Sequence, residues 1–295
     1  MSSNTNFLKG RIIKGVGGFY YIDTPNGVFE CRARGRFRKE GTTPLVGDIV
    51  SCNIDSASNT GMITEIFPRQ NALIRPAVAN VTSIAIVVSI TNPKPNLRTI
   101  DKLISSAEYV GIRPIICINK IDLCSSDELF EIYSKSGFNV LSVSAATKFN
   151  ISRLEEMLDN EITVFAGNSG VGKSSLLNCI LQDVVLKTGE VSSKIERGRH
   201  TTRHTELIKL KNSDGYIIDT PGFSSFDLTG FDVKRLDSLF PEFSYYIGKC
   251  RFMDCCHTVE DGCAVLQAVH DGIIPKSRHD SYLEQLNEIN NNTKY

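Results

Sequence analysis

Residues 167–174 read GNSGVGKS, which fits G-x-x-x-x-G-K-[ST], and Ser175 follows. In this pattern glycines let backbone N–H groups curl around phosphates, and the helix that follows adds the positive end of its dipole. Gly167, Asn168, Ser169, Gly170, Val171, Gly172, Lys173, Ser174 and Ser175 are therefore expected to hold a nucleoside triphosphate. Lys173 is expected to reach the β- and γ-phosphates, and the Ser174 hydroxyl to ligate magnesium. The loop leaves the base open. Asn119-Lys120-Ile121-Asp122 chooses it. Guanine presents adjacent donors at N1 and N2, and one carboxylate accepts from both. Adenine has no donor at N1, so Asp122 would set lone pair against lone pair, and a site built on such hydrogen bonds rejects the wrong base. The Lys120 stem can cover the base plane and Asn119 can brace neighbouring loops. Ser144-Ala145 ends the next strand, and the Ala145 N–H is expected to donate to guanine O6.

Asp219-Thr220-Pro221-Gly222 ends the run GYIID. Asp219 is expected to hold magnesium through water, and the Gly222 N–H to sense the γ-phosphate. Between the two loops, His200-Thr201-Thr202-Arg203 supplies a switch threonine, Thr202, with Thr201 as the alternative. Phe223 stands where many GTPases carry the glutamine that orients water. A phenyl ring cannot hold a nucleophile, so hydrolysis is expected to be slow unless a partner, His200 or His204 completes the site. Further on, Cys250, Cys255, His257 and Cys263 form C-x4-C-x-H-x5-C. Such soft and borderline ligands within fourteen residues suit one closed, tetrahedral structural zinc site. Cys256 is a spare thiol whose side chain should point away.

These residues need elements to position them. Residues 1–67 show five short apolar runs broken by Gly, Pro and Asn, which suggest a small closed OB-like β-barrel, with a plain β-sandwich as the alternative. Residues 68–230 alternate buried-type strands with amphipathic helices, a doubly wound α/β domain whose ligand loops sit at the carboxyl ends of its strands. Ile100, Leu103, Ile104, Ala107 and Val110 share one helical face, and Ser152 is expected to cap a helix over ISRLEEML. Residues 231–295 read as mainly helical around the Cys/His loop.

The motif order is rotated. The base reader and Ser144-Ala145 precede the phosphate loop, the switch threonine and Asp219–Gly222, although strand ends that converge in space leave the pocket unchanged. In this rotation, and in the C-x4-C-x-H-x5-C motif, the chain resembles the ribosome small-subunit-dependent GTPase A family over nearly all its length. The resemblance implies an N-terminal OB-fold, a circularly permuted P-loop GTPase domain and a C-terminal zinc-binding domain. It also implies binding to the small ribosomal subunit and its rRNA, a role in late maturation, and GTP hydrolysis to GDP stimulated by that subunit.

Composition is compatible with this. Basic and acidic residues number 33 each, so no global charge demands nucleic acid, but residues 1–67 carry eight basic against six acidic residues. Arg32, Arg34, Arg36, Arg38 and Lys39 crowd together there and are expected to meet RNA phosphates, with Phe19, Tyr20, Tyr21 and Phe37 as candidate stacking platforms. The N-terminus lacks the apolar core of a signal peptide, and the longest apolar run falls short of a membrane span. Cys31, Cys52, Cys117, Cys124 and Cys179 read as reduced thiols. The expectation is a cytoplasmic monomer without membrane association. A GTP-responsive RNA-binding module without meaningful turnover is the competing reading; a P-loop ATPase or kinase is disfavoured by Asp122.

Overall fold

The computed structural model describes residues 5–35, 37, 41–55, 58–74, 76–188, 205–211, 213–219 and 236–292. Arg36, Arg38, Lys39, His200, Thr201, Thr202, His204, Gly222 and Phe223 lie outside the described residues. The chain forms two compact units. One comprises Met1–Ser83, Glu156–Val164 and Leu181–Phe223; the other comprises Ile84–Glu155, Phe165–Ile180 and Ser224–Tyr295.

The first unit opens with β1 (Thr5–Val16), β2 (Phe19–Thr24), β3 (Gly27–Ala33), β4 (Ile49–Asp55) and β5 (Thr60–Ile66). Gly17 and Gly18, at φ +60° and +84°, make the β1–β2 turn whose positive φ values match strand twist. β1 pairs with both β2 and β4, β2 with β3, β3 in parallel with β5, and β5 with β4. The ring closes, so the expected barrel is present and the sandwich alternative falls. Ile12, Ile22, Cys31, Val50, Cys52, Ile54 and Ile63 fill it. Phe37 is also buried, which removes it as a stacking platform. Beyond the barrel, β6 (Ala72–Leu73) and β7 (Val78–Ala79) pair as a short ribbon.

The remaining strands are β8 (Ser83–Ser89), β9 (Arg113–Asn119), β10 (Asn139–Ser142), β11 (Ile162–Ala166), β12 (Glu206–Lys209) and β13 (Tyr216–Asp219). The helices are α1 (Leu97–Tyr109), α2 (Asp127–Lys135), α3 (Ile151–Met157), α4 (Lys173–Thr188), α5 (Ala264–His270) and α6 (Lys276–Asn292). In the first unit β11 pairs in parallel with β13, β13 antiparallel with β12, and β12 meets β1 at Lys14 and Glu206. In the second unit β10, β9 and β8 lie side by side, with β10 and β9 parallel. β8 and most of β9 are buried on both faces, as their continuous apolar runs anticipate. Cys117 is an inert core thiol there, pushed up to about 12 by burial.

Asn96 caps α1, its side chain accepting from the Thr99 N–H. The helix buries the apolar face expected, and a polar face as well. Asp101, Ser105 and Ser106 are covered, and Ser105 Oγ donates to Gln285 of α6. Arg278, also of α6, stands 2.7 Å from Asp101 and 2.6 Å from Glu242, with all these side chains at most 3% exposed. Tyr133 donates a further hydrogen bond to Asp101. Removing the arginine would strand two carboxylates out of water at a cost of about 3–5 kcal/mol. This is how the C-terminal helix is held on α1. The expected cap at Ser152 is corrected: α3 begins at Ile151, so Ser152 lies inside its first turn and Asn150 precedes it.

Candidate functional site

The second unit brings the base reader and the phosphate loop together through one side chain. Asn119, the last residue of β9, is buried; its Nδ2 donates to the Val171 carbonyl at 3.0 Å. Its Oδ1 accepts from the Ala145 N–H at 3.2 Å. The bracing role expected of Asn119 is therefore visible in its contacts. The Ala145 N–H, expected to donate to guanine O6, donates here to the Asn119 amide oxygen. Lys120 adopts φ +66° and donates from Nζ to the carbonyls of Gly170, at 2.7 Å, and Asn92. Its stem thus runs beside the phosphate loop. Asn92 was not anticipated, and no local pattern marks it.

Asp122 is exposed, and its Oδ1 accepts from the fully buried Ser144 hydroxyl at 2.5 Å. Ser144 Oγ in turn accepts from the Thr147 N–H at 3.1 Å, which fixes the hydroxyl proton toward Asp122. A carboxylate steered through one oxygen is oriented before a base arrives. Ile121 donates from its backbone N–H to the Val143 carbonyl, tying this loop to the end of β10.

The glycines of the phosphate loop are required by space as well as by φ. At Gly167, φ +136°, a Cβ would lie 2.3 Å from the Val87 carbonyl oxygen. At Gly172, φ +96°, it would lie 2.2 Å from Asn119 Nδ2. Gly172→Ala therefore strikes the phosphate loop and the base reader together. With backbone strain of about 1–3 kcal/mol, guanine-nucleotide affinity should fall about 10- to 100-fold. Titration with a fluorescent guanine nucleotide checks this, and wild-type affinity would mean that the loop relaxes freely.

Lys173 Nζ donates to the Gly167 and Asn168 carbonyls at 2.7 and 2.8 Å, and burial lowers its pKa from the ordinary lysine value. An ammonium lying along the inner rim of its own loop is placed to move onto phosphate oxygens. Ser174 and Ser175 stand exposed in the first turn of α4, while Ser169 and Gly170 form the outer, exposed part of the loop. In the first unit Asp219 closes β13, opposite Glu206 of β12.

The Cys/His loop closes on itself in the second unit. The ligand atoms of Cys250, Cys255, His257 and Cys263 all lie within 4.8 Å of one another. Zn–S bonds of about 2.3 Å would hold two tetrahedral sulfurs about 3.8 Å apart. The Cys250 and Cys263 sulfurs are separated by 3.8 Å, and His257 Nδ1 lies 3.6 and 3.4 Å from them. The donor set is compatible with a zinc site. Behind it, His257 Nε2 faces Asp237 Oδ2 at 3.8 Å, and the Ala264 and Leu266 N–H groups donate to the Cys250 and Cys263 sulfurs. Such outer contacts orient ligands and favour thiolate. Burial alone would raise the Glu260 carboxyl, but N–H donors including those of Cys256, Thr258 and Val259 bring it down to about 2. Glu260 thereby folds the loop between His257 and Cys263. Cys256 is exposed, with its sulfur directed to the Asp254 carbonyl and outside the cluster, as expected. Asp237 and Glu260 were missed, since a carboxylate that supports ligands leaves no spacing signature.

A family model described as RsgA GTPase matches residues 66–229, and one described as RsgA N-terminal domain matches residues 9–63. The chain belongs to the RsgA GTPase family. Among its relatives in that family, the small ribosomal subunit biogenesis GTPase RsgA of Ruminiclostridium cellulolyticum is 47% identical, covering 93% of this chain and 92% of that protein. The protein of the same name from Alkaliphilus metalliredigens is 45% identical, covering 97% and 99%. Among solved structures, that of YloQ, described as a circularly permuted GTPase, is similar with a TM-score of 0.82 and 34% identity, covering 99% of this chain and 97% of that one. YjeQ from Thermotoga maritima is similar with a TM-score of 0.82 and 32% identity, covering 96% and 98%. The family accounts for the rotated motif order, and a circularly permuted GTPase flanked by a barrel and a Cys/His-bearing helical segment is the architecture of this chain.

Proposed function

We propose that this chain is a magnesium-dependent GTPase that docks on the small ribosomal subunit and its rRNA and assists late maturation. It hydrolyses GTP to GDP and phosphate, slowly alone and faster on the subunit. The observation that carries the reading is the Asn119 side chain, which spans the base-reading loop, Ala145 and Val171 of the phosphate loop. Residues 1–67 serve as the RNA-binding barrel, 68–230 as the GTPase domain and 231–295 as the zinc-binding domain. Asp122 reads guanine with Asn119, Lys120, Ile121, Ser144 and Ala145 around it, and Gly167–Ser175 hold the phosphates. Lys173, Thr202, Asp219 and Gly222 meet the reacting phosphate, and Ser174 and Asp219 are the residues that would hold magnesium. That ion supplies charge neutralisation of phosphate oxygens when bound. Lys173 adds a second positive charge against the same oxygens.

Relatives named for small-subunit biogenesis support the partner, and the exposed Arg32 and Arg34 on and after β3 support RNA contact. Among the described residues no helix is long and apolar enough to cross a membrane. The protein acts in the cytoplasm as a monomer. Co-sedimentation with purified small subunits tests the docking. Pelleting with a non-hydrolysable GTP analogue and release with GDP is expected; equal pelleting in both states, or none, overturns it.

Cys250, Cys255, His257 and Cys263 hold one structural zinc. Purified chain should contain about one zinc per molecule, and Cys255→Ser should lose most of it while isolated guanine binding persists. Metal analysis and nucleotide titration of the same sample check both halves. Full zinc in Cys255→Ser would transfer the ligand role to Cys256.

A further inference from the structure

The hairpin β12–β13 of the first unit ends in functional ground, since Glu206 follows Thr202 by four residues and stands opposite Asp219. The same hairpin is built into the barrel. β1 pairs with β4 as far as Arg11, a bulge follows between Ile12 and Lys14, and Lys14 then pairs with Glu206 of β12. A bulge re-aims a strand, and here β1 parts from β4, stays paired with β2 through Val16, and meets the hairpin along its other edge. Lys14 Nζ lies 3.1 Å from Glu206 Oε2.

One residue along β2, Asp23, makes the second tie. Its Oδ2 accepts from the Tyr216 hydroxyl of β13 at 2.5 Å and from Lys209 Nζ of β12 at 3.3 Å. The Arg11 guanidinium lies 5.7 Å from the Tyr216 ring centre and donates to the Gly47 carbonyl at 3.1 Å. Tyr216 is 8% exposed and the Asp23 side chain 14%, so this is not a solvated surface pair of negligible worth. Both strands of the hairpin are held by the barrel through side chains that no nucleotide motif requires.

We propose that Lys14, Asp23 and Tyr216 are positioning residues that carry the docked state of the barrel to the β12–β13 hairpin, and so to Asp219. The proposal rests on the reading of the barrel as the RNA anchor. A subunit that fixes β1 and β2 thereby fixes the strand on which Asp219 sits. Docking that restrains β1 and β2 then restrains Asp219 through ties already formed in the free chain, and Phe223 leaves the chain dependent on such outside help.

The test uses the full chain with purified small subunits, in three variants: Tyr216→Phe, Glu206→Lys, and Glu206→Lys with Lys14→Glu. Basal turnover, pelleting with subunits, melting temperature and subunit-stimulated turnover are read for each. Tyr216→Phe and Glu206→Lys should keep basal turnover and pelleting, lower the melting temperature by only a few degrees, and lose about fivefold in stimulation, within the range of coupling between contacting residues. Restoring the pair with reversed charges should recover most of that loss. Unchanged stimulation, loss of pelleting in step with stimulation, or failure of the charge reversal to rescue each overturns the proposal. A wild-type chain that subunits neither bind nor stimulate instead overturns the functional reading, and the joint with it.

Discussion

Asp122→Asn should weaken GTP binding about a thousandfold or more, since a site built to accept guanine's donors leaves groups unpaired once it cannot. The asparagine amide would point a donor at the guanine amino group. Xanthine carries oxygen at that position, so xanthosine triphosphate should gain affinity in the same variant. The Ser144 hydroxyl, which holds Asp122 at 2.5 Å, can still donate to the asparagine oxygen. Orientation of the side chain is thus retained, and the change reports base recognition rather than collapse of the loop. Competition titrations with both nucleotides measure it. Unchanged GTP affinity would remove Asp122 from base reading.

Lys173→Ala should reduce hydrolysis by about a thousandfold, the scale on which a preorganised charge at a reacting oxygen acts. The ammonium now rests on the Gly167 and Asn168 carbonyls, so alanine also frees the inner rim of the loop. Zinc content should stay as in wild type, because the Cys/His cluster makes no use of this residue. Single-turnover phosphate release with subunits present is the measurement. Retained turnover would exclude Lys173 from the chemistry.

The parts of this molecule that were legible in its sequence are those recorded locally. Five barrel strands, the strands of the α/β domain, the phosphate loop and the clustered Cys/His side chains each announce themselves by period or spacing. Asn119 was legible as a brace because its neighbours in the motif fix the geometry of the loop. What stayed hidden depends on residues far apart in the chain. Arg278 and Asp101 are separated by 177 positions, and nothing around either identifies the other as its partner. The polar face of α1 reads as solvated until α6 covers it. Tyr216 looks like an ordinary strand aromatic until Asp23, 193 positions away, takes its hydroxyl proton in a hydrogen bond. Pattern reveals which face is buried; it does not reveal what buries it. The engagement of the Ala145 N–H by Asn119 was missed for a related reason, since a backbone donor carries no identity in sequence.

A guanine-specific pocket that turns over on the small ribosomal subunit must depend on both the nucleotide base and the subunit. Phosphate release from GTP, with and without purified small subunits, tests this most directly when ATP is run in parallel. Slow release alone, acceleration by about tenfold or more with subunits, and no comparable release from ATP are expected. Equal GTP turnover in the presence and absence of subunits, or equal hydrolysis of ATP, would contradict it.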